Sequence, residues 1–293
     1  MNSITVFTPT YNRAYILPRL YESLCNQTCK DFCWLIVDDG SQDDTNEIVS
    51  KWIEKSIIEI KYIYKQNGGK MRAHNVGVKY AESELFVCVD SDDYLTANSI
   101  EMFLNTWKNN LRDNKSISGI VAYRGKSDNS PMVNEFPKGV TVSKLSDLYD
   151  KGFKGDTTLV FRTAVLKEYL FPEIPEEKFI TEAYIYDQID QKYSLFVLRE
   201  IGIVCEYQED GYTRNNLKLE RDNPKGWAVY YRQKANFATN MKKKLRYSAY
   251  ANCFELMSHS KHIKCDYKIL NAISFVIGLK ILYRYKKGFE TLK

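Results

Sequence analysis

The amino-acid sequence predicts an α/β fold, with a mixed, mainly parallel sheet flanked by helices and a helical extension at the C-terminal end. Three observations carry this expectation. Strand and helix signals alternate through the first hundred residues in the short repeats of β-α units. Polar and acidic clusters stand where three of those strands end. From Trp227 onward the chain turns helical and basic.

Taken in order, Ile4–Thr8 is a short β-rich run. Leu17–Leu24 follows as a helix, because Leu17, Leu20, Tyr21 and Leu24 recur at helical spacing. Phe32–Val37 is an apolar strand that stops at Asp38-Asp39-Gly40-Ser41, a turn rich in helix-capping residues. Thr45–Lys55 is a helix with Ile48, Val49, Trp52 and Ile53 inward. Ile58–Tyr64 is a third strand, Met71–Ala81 a helix, and Leu85–Val89 a fourth strand ending in Asp90-Ser91-Asp92-Asp93. Residues 95–180 are less regular: Ser99–Leu111 is helical, Gly119–Tyr123 strand-like and Ser127–Gly139 a polar loop. Gly155-Asp156-Thr157-Thr158 leads into the apolar run Leu159–Phe161, and Glu209-Asp210-Gly211 is a turn. The expected division is a catalytic-sized domain over 1–215, in halves 1–100 and 101–215, and an extension over 216–293.

The 293 residues, 44% hydrophobic and 27% charged, suit one sizeable core plus an appendage. The seven cysteines are odd in number and scattered, and the N-terminus runs straight into a strand, so reduced thiols, no leader and a cytoplasmic setting are expected. Cys25, Cys29 and Cys33 lack zinc spacing and a nearby histidine, and His259 and His262 stand without carboxylate partners. The net charge of +5 hides a gradient. Residues 211–293 carry 18 Lys+Arg against 5 Asp+Glu, whereas residues 1–210 carry 24 against 32. An acidic body with a basic tail points the tail at something anionic, a phospholipid or a phosphate-bearing acceptor, and no nucleic-acid partner is expected.

In doubly wound sheets, ligands sit beyond the carboxyl ends of the strands. Thr8–Arg13, Asp38–Ser41 and Asp90–Asp93 all fall there. Asp90 and Asp92, one residue apart at the end of a buried strand, repel unless a cation or a hydrogen-bonded ligand joins them. Magnesium and manganese, which prefer oxygen ligands and commonly bridge carboxylates to diphosphate oxygens, suit such a pair. Lys70 and Arg72 follow Gly68-Gly69, where a backbone can approach a ligand and cations can meet phosphate. Tyr11 can stack on a pyrimidine, while the Thr8-Pro9 backbone and the Asp39 carboxylate can read a base edge.

The order Thr8-Pro9-Thr10-Tyr11-Asn12-Arg13, then Asp38-Asp39-Gly40-Ser41, then Asn67-Gly68-Gly69-Lys70-Met71-Arg72-Ala73-His74-Asn75, then Asp90-Ser91-Asp92-Asp93 resembles a family 2 glycosyltransferase of the GT-A (Rossmann-like) fold, of the bacterial polysaccharide-building type. Asn26-Gln27-Thr28 belongs to the same pattern. The resemblance is close over 1–100, weaker to about 215, and fades in the tail. It implies a nucleotide-binding half over 1–100, an acceptor half over 101–215, and inverting transfer from a nucleotide-diphosphate sugar, a UDP-sugar by default, to a saccharide or lipid-linked hydroxyl. Thr8, Pro9, Tyr11, Arg13, Asp39, Lys70, Arg72, Asp90 and Ser91 would bind donor, and Asp92 would take Mn2+ or Mg2+. Asp93 is expected to cap the next segment. His74 stands where the family usually has arginine, and either replaces it or packs. Asn75 and Gly77 either shape helix–strand packing or touch donor. Phe179-Ile180-Thr181-Glu182-Ala183-Tyr184 resembles the Thr-Glu-Asp acceptor motif with alanine in place of its aspartate. Glu182 is therefore the expected base, with Asp187 the fallback. Asp156 falls near the acceptor side, where it binds acceptor or donor sugar or simply forms a turn before the strand.

Lys268–Gly288 mixes apolar residues with Lys280, Arg284, Lys286 and Lys287, and is short for a membrane span. It is expected either to lie on the inner face of the cell membrane or to pack on the domain or on a partner subunit, which leaves a homo-oligomer open. A nucleotidyltransferase would use the same acids and metal, but carries a Gly-rich basic segment after its first strand, where Thr8-Pro9-Thr10-Tyr11 stands here. A non-catalytic nucleotide-sugar binding module would need no acid like Glu182.

Overall fold

The computed structural model describes residues 2–132, 134–205, 216–259 and 268–290, so Glu209-Asp210-Gly211, His262 and Cys265 lie outside the described residues. The chain divides into two units, residues 1–170 with 185–206 and residues 171–184 with 207–293. The first unit opens with β1 (Ile4–Thr10), α1 (Leu17–Cys25), β2 (Phe32–Asp38), α2 (Thr45–Lys55), β3 (Glu59–Tyr64), α3 (Lys70–Tyr80) and β4 (Leu85–Cys88). It continues through β5 (Tyr94–Leu95), α4 (Ser99–Asn110), β6 (Ile117–Ser127), β7 (Ser130–Pro131) and β8 (Val142–Ser143). It ends with α5 (Leu145–Asp150), β9 (Thr157–Arg162), α6 (Thr163–Glu168), most of α7 (Ala183–Lys192), and β10 (Ser194–Val204).

All seven residues of β1 and of β2 are buried, as strands covered on both faces must be. Alternate residues serve opposite faces. Ile4, Val6, Trp34 and Ile36 join the main core, where Trp34, Trp52 and Tyr21 stack at centroid distances of 4.3–6.2 Å. Phe7 stacks on Phe86 at 5.2 Å, with His74 of α3 set edge-on to both rings. His74 therefore packs. Of the four residues expected inward on α2, Val49 and Trp52 are buried, but Ile53 is 40% exposed. It lies about 40° beyond Val49 around the helix axis and about 100° from Trp52, at the outer edge of the buried stripe.

The strand order is β3-β2-β1-β4-β9-β6-β10-β5, with β7 on β6 and β8 on β10. The pairs β3-β2, β2-β1 and β1-β4 are parallel. Strand β9 enters antiparallel to both β4 and β6, and β10 returns parallel to β6. The chain thus winds outward from β1 in one direction and returns to β4 on its other side, which opens a crevice at the carboxyl ends of β1 and β4. The sheet is mixed: β1 to β4 form its parallel half, and β5 pairs antiparallel with β10 at the far edge. No disulfide joins the six cysteines among the described residues.

The second unit gathers residues 171–184 with α8 (Asn216–Asp222), α9 (Pro224–Phe237), α10 (Met241–Met257) and α11 (Lys268–Glu290). The sequence puts 171–184 with the sheet domain, whereas hydrogen bonds tie it to α9. The Glu177 carboxylate accepts from the N–H groups of Lys225 (2.7 Å) and Gly226 (2.6 Å) in the first turn of that helix. Asn223 accepts from the Lys178 N–H at 2.9 Å, and Gln233 donates to the Tyr184 carbonyl at 2.7 Å. Helices α10 and α11 meet closely at Gly278, where an added Cβ would lie 2.9 Å from the Ala249 carbonyl oxygen. Asn252 donates to the buried Ser274 hydroxyl at 3.0 Å. Ile273, Val276, Leu279 and Tyr283 remain exposed on α11, and no helix among the described residues is long and apolar enough to cross a membrane.

Gly77 is the tightest helix–strand contact in the parallel half: an added Cβ would sit 2.4 Å from two Phe7 ring carbons. Gly77→Ala should gain about 0.5–1 kcal/mol of helix propensity and lose about 1–3 kcal/mol to overpacking. The net expectation is a lower urea midpoint, and a raised midpoint would show that the Phe7 ring can move aside.

Candidate functional site

The site stands on three loops at the carboxyl ends of β1, β2 and β4, and each loop is fixed by hydrogen bonds the sequence encodes locally. After β1, Asn12 adopts a left-handed conformation (φ 53°), which asparagine tolerates. Its N–H donates to the Ser41 hydroxyl and its side-chain oxygen accepts from the Gln42 N–H, each at 2.8 Å. The Asp43 carboxylate accepts from the Ala14 N–H (2.9 Å) and the Thr45 hydroxyl (2.6 Å). The first two loops are thereby stitched together. Tyr11 is 47% exposed, which leaves its ring open to stacking. Thr8 is fully buried, and its hydroxyl accepts from the Trp34 indole at 2.9 Å, so its side chain serves the sheet.

Asp38 and Asp39 divide their work. Buried Asp38 accepts from the Ser41 N–H (2.7 Å) and the Tyr62 hydroxyl (2.6 Å). Burial, and then the carboxylate beside it, push the Tyr62 phenol well up from its ordinary value. Asp39 accepts from the Gly68 N–H (2.9 Å), the Gly69 N–H (2.7 Å), the Asn67 amide (3.1 Å) and the Lys65 ammonium. Those four donors match the carboxylate's four lone-pair sites. The acid expected to read a base edge is thus engaged with the loop ahead of α3. Gly40 (φ 89°) is required there, since a Cβ would lie 2.8 Å from the Asn67 nitrogen.

Lys70 and Arg72, the two cations at the start of α3, point to different tasks. Lys70 meets the Asp90 carboxylate at 2.6 Å. Arg72 folds back to donate to the Gly68 carbonyl at 2.6 Å. Burial raises the Asp90 acid, but the charges of Lys70 and Arg124 outweigh it and hold the carboxyl below the usual range.

In the acidic turn after β4, each acid is treated differently. Asp93 is 4% exposed and meets Arg124 of β6 at 3.2 Å. It does not cap the following helix, whose N-cap position is Asn98; the arginine draws it inward instead. Burial pushes the Asp93 acid up to about 7 against the pull of Arg124. Among the described residues the Asp92 carboxylate has no ion-pair partner and no side-chain hydrogen bond; it accepts from its own main-chain N–H. Burial, and next the neighbouring Asp90 charge, raise its pKa, while Arg13 and Lys70 pull it back. Ser91, expected on the donor, is only 7% exposed.

Two further contacts position the segment around this turn. Arg19 of α1 donates to the Asp92 carbonyl at 2.6 Å, and Gln27 donates to the Thr96 carbonyl at 2.7 Å while accepting from the Ile100 N–H at 3.2 Å. Gln27 belongs to the motif quoted above, but nothing local to Arg19 marks it, because its partner lies 73 residues away.

The structure therefore brings Lys70, Asp90 and Asp92 together with Arg13 in electrostatic reach. Asp39 stands in the loop after β2, Arg72 in the first turn of α3, and Pro9 is buried in β1. Glu182 immediately precedes α7 and lies in the second unit, whereas Asp187 lies in the first. Asp156 is exposed ahead of β9. No group of three or more His, Cys, Asp or Glu able to hold a metal occurs among the described residues.

Comparison with known proteins converges on one family. The model described as "Glycosyl transferase family 2" matches residues 5–170. An uncharacterized glycosyltransferase of Rickettsia felis is 38% identical over 36% of this chain and 17% of its own length. TarS of Staphylococcus aureus, a poly(ribitol-phosphate) beta-N-acetylglucosaminyltransferase, is 29% identical over 63% of this chain and 33% of its own. The chain thus spans a third or less of those curated relatives. A Campylobacter jejuni GalNAc(5)-diNAcBac-PP-undecaprenol beta-1,3-glucosyltransferase is 24% identical over 81% of this chain and 83% of its own. Among solved structures, S. aureus TarS 1–349 in complex with UDP-GlcNAc superposes with a TM-score of 0.62 at 18% identity, covering 98% of this chain and 92% of that one. That likeness establishes the GT-A fold. With the family model covering more than half of its length, the chain belongs to glycosyl transferase family 2.

Proposed function

We propose that the chain is an inverting glycosyltransferase that moves a sugar from a nucleotide-diphosphate sugar, with uridine the nucleoside, to a hydroxyl of a saccharide or lipid-linked acceptor in bacterial surface polysaccharide synthesis. The observation that carries the reading is the acidic turn: two of its carboxylates are charge-balanced and the third, Asp92, is not. A carboxylate held without a cation partner at a strand edge suits a ligand that brings its own positive charge.

The donor set fits a divalent cation. Asp92 offers hard oxygen ligands, and because the described residues gather no set of three or more metal-ligating side chains, the ion would complete its shell with diphosphate oxygens, as magnesium commonly does. Mn2+ or Mg2+, held by Asp92, would supply charge neutralisation for the departing diphosphate. Tyr11 stacks on the base, and Lys70 and Arg13 add positive charge at the leaving group. Asp39 shapes the Asn67-Gly68-Gly69 loop against which the nucleotide lies. Glu182 takes the proton of the acceptor hydroxyl as that oxygen attacks the anomeric carbon. The support for Glu182 is its motif and its place ahead of a helix.

The chain acts at the inner face of the membrane, and the partner of α11 is an anionic lipid surface. Its exposed apolar residues Ile273, Val276, Leu279 and Tyr283 lie beside exposed Lys280, Arg284, Lys286 and Lys287, and this combination of apolar area and positive charge complements acidic headgroups.

Three outcomes test these assignments. Asp92→Ala removes one of three neighbouring carboxylates, so its melting temperature should match or exceed that of the parent, while metal-dependent transfer is abolished. Retained turnover in that variant would remove the argument from the acidic turn. Glu182→Gln should lower kcat by about 10²–10⁴-fold with donor affinity unchanged, and a normal kcat would move the base to Asp187. In flotation with vesicles of phosphatidylglycerol, the chain should rise with the lipid, whereas Lys280→Glu combined with Lys287→Glu should stay below. Equal flotation of both would refute the lipid partner.

A further inference from the structure

Two arginines from separate elements hold the acidic turn. Arg19, on α1, places its guanidinium 4.8 Å from the centre of the Tyr94 ring and donates to the Asp92 carbonyl at 2.6 Å. One planar group thus holds the residues on either side of Asp93. Arg124, on β6, is itself fixed: its Nε donates to the Thr157 carbonyl at the start of β9 at 3.2 Å. Its terminal nitrogen meets Asp93 at 3.2 Å and the Cys205 sulfur at 3.4 Å. Both contacts use the flat, many-donor shape of guanidinium, which an ammonium lacks.

Three acids within four residues are self-repelling, and the turn has alternatives to its present arrangement. Any of the three carboxylates would serve a cation if it were turned outward. The one left without a cation partner is set by which acids are tied back. Lys70 ties Asp90 and Arg124 ties Asp93, while Arg19 fixes the main chain between them.

We propose that Arg19 and Arg124 are positioning residues for sugar-nucleotide binding: they lock the turn so that Asp92 alone presents its carboxylate. This rests on the glycosyltransferase reading above. Neither residue touches donor. Arg19 acts through the Asp92 main chain, and Arg124 acts by holding Asp93 out of the cation's reach.

The test begins with the parent chain, whose UDP uptake in the presence of Mn2+ is measured by calorimetry. No uptake by the parent would fail the functional reading itself, separately from the clamp. With uptake established, Arg19→Met should weaken it by about tenfold to a hundredfold, the range of one charged hydrogen bond. The same variant should speed amide hydrogen exchange across residues 90–95 with little change in melting temperature. Arg19→Lys should recover part of the affinity, since it keeps the charge and loses the ring stacking. Arg124→Gln is paired with Asp93→Asn so that no buried charge is left alone. Arg124→Gln alone should shift the Mn2+ dependence of UDP uptake, because Asp93 is released to compete for the ion, and the double variant should return it toward the parent. Parent-like uptake and exchange in Arg19→Met would overturn the clamp. So would a double variant that binds no better than Arg124→Gln alone.

Discussion

Charge balance in one short turn is the constraint on which the remaining structure depends. Asp90, Ser91, Asp92 and Asp93 follow a buried strand, and burial raises the cost of every ionised carboxylate there. The fold meets that cost by bringing cations from three separate elements: Lys70 at the start of α3, Arg124 on β6 and Arg19 on α1. Strand order makes this feasible. Because β9 and β6 stack beyond β4, a β6 side chain reaches the turn. Because α1 follows β1 at the switch point, its arginine faces the turn's main chain.

The same economy governs the other two loops. The Asp39 carboxylate uses four donors to shape one glycine-rich loop, and Asn12 with Asp43 ties the first loop to the second. Loops without regular hydrogen bonding are thereby as determined as the strands that carry them. That preorganisation matters for a reaction whose main obstacle is charge building up on a leaving diphosphate, since donors already in place need not reorganise when the bond breaks.

Much of this was legible in the sequence. The first four strands and three helices show in hydrophobic periodicity, because the parallel half is built from local β-α units. Asp90 and Asp92 stand out through their spacing. Other features depend on partners far away in sequence. Ser194–Val204 forms the long strand β10 from a broken apolar run, and it pairs with β6 through register shifts that no local pattern announces. Arg19 and Arg124 look like ordinary surface cations until the sheet places Asp92 and Asp93 beside them. Asp93 looks like a helix cap because caps are local, yet a cation from β6 claims it. The tie between Glu177 and the first turn of α9 spans 48 residues, so the grouping of 171–184 with the C-terminal helices was equally hidden.

The central claim is that one carboxylate is held ready for a cation that a diphosphate must help to bind. Electron paramagnetic resonance of Mn2+ tests it directly, because the free-ion signal falls on binding. The account predicts little uptake by the chain alone and stoichiometric uptake once UDP is added. Tight Mn2+ uptake without nucleotide, or none in its presence, would contradict it.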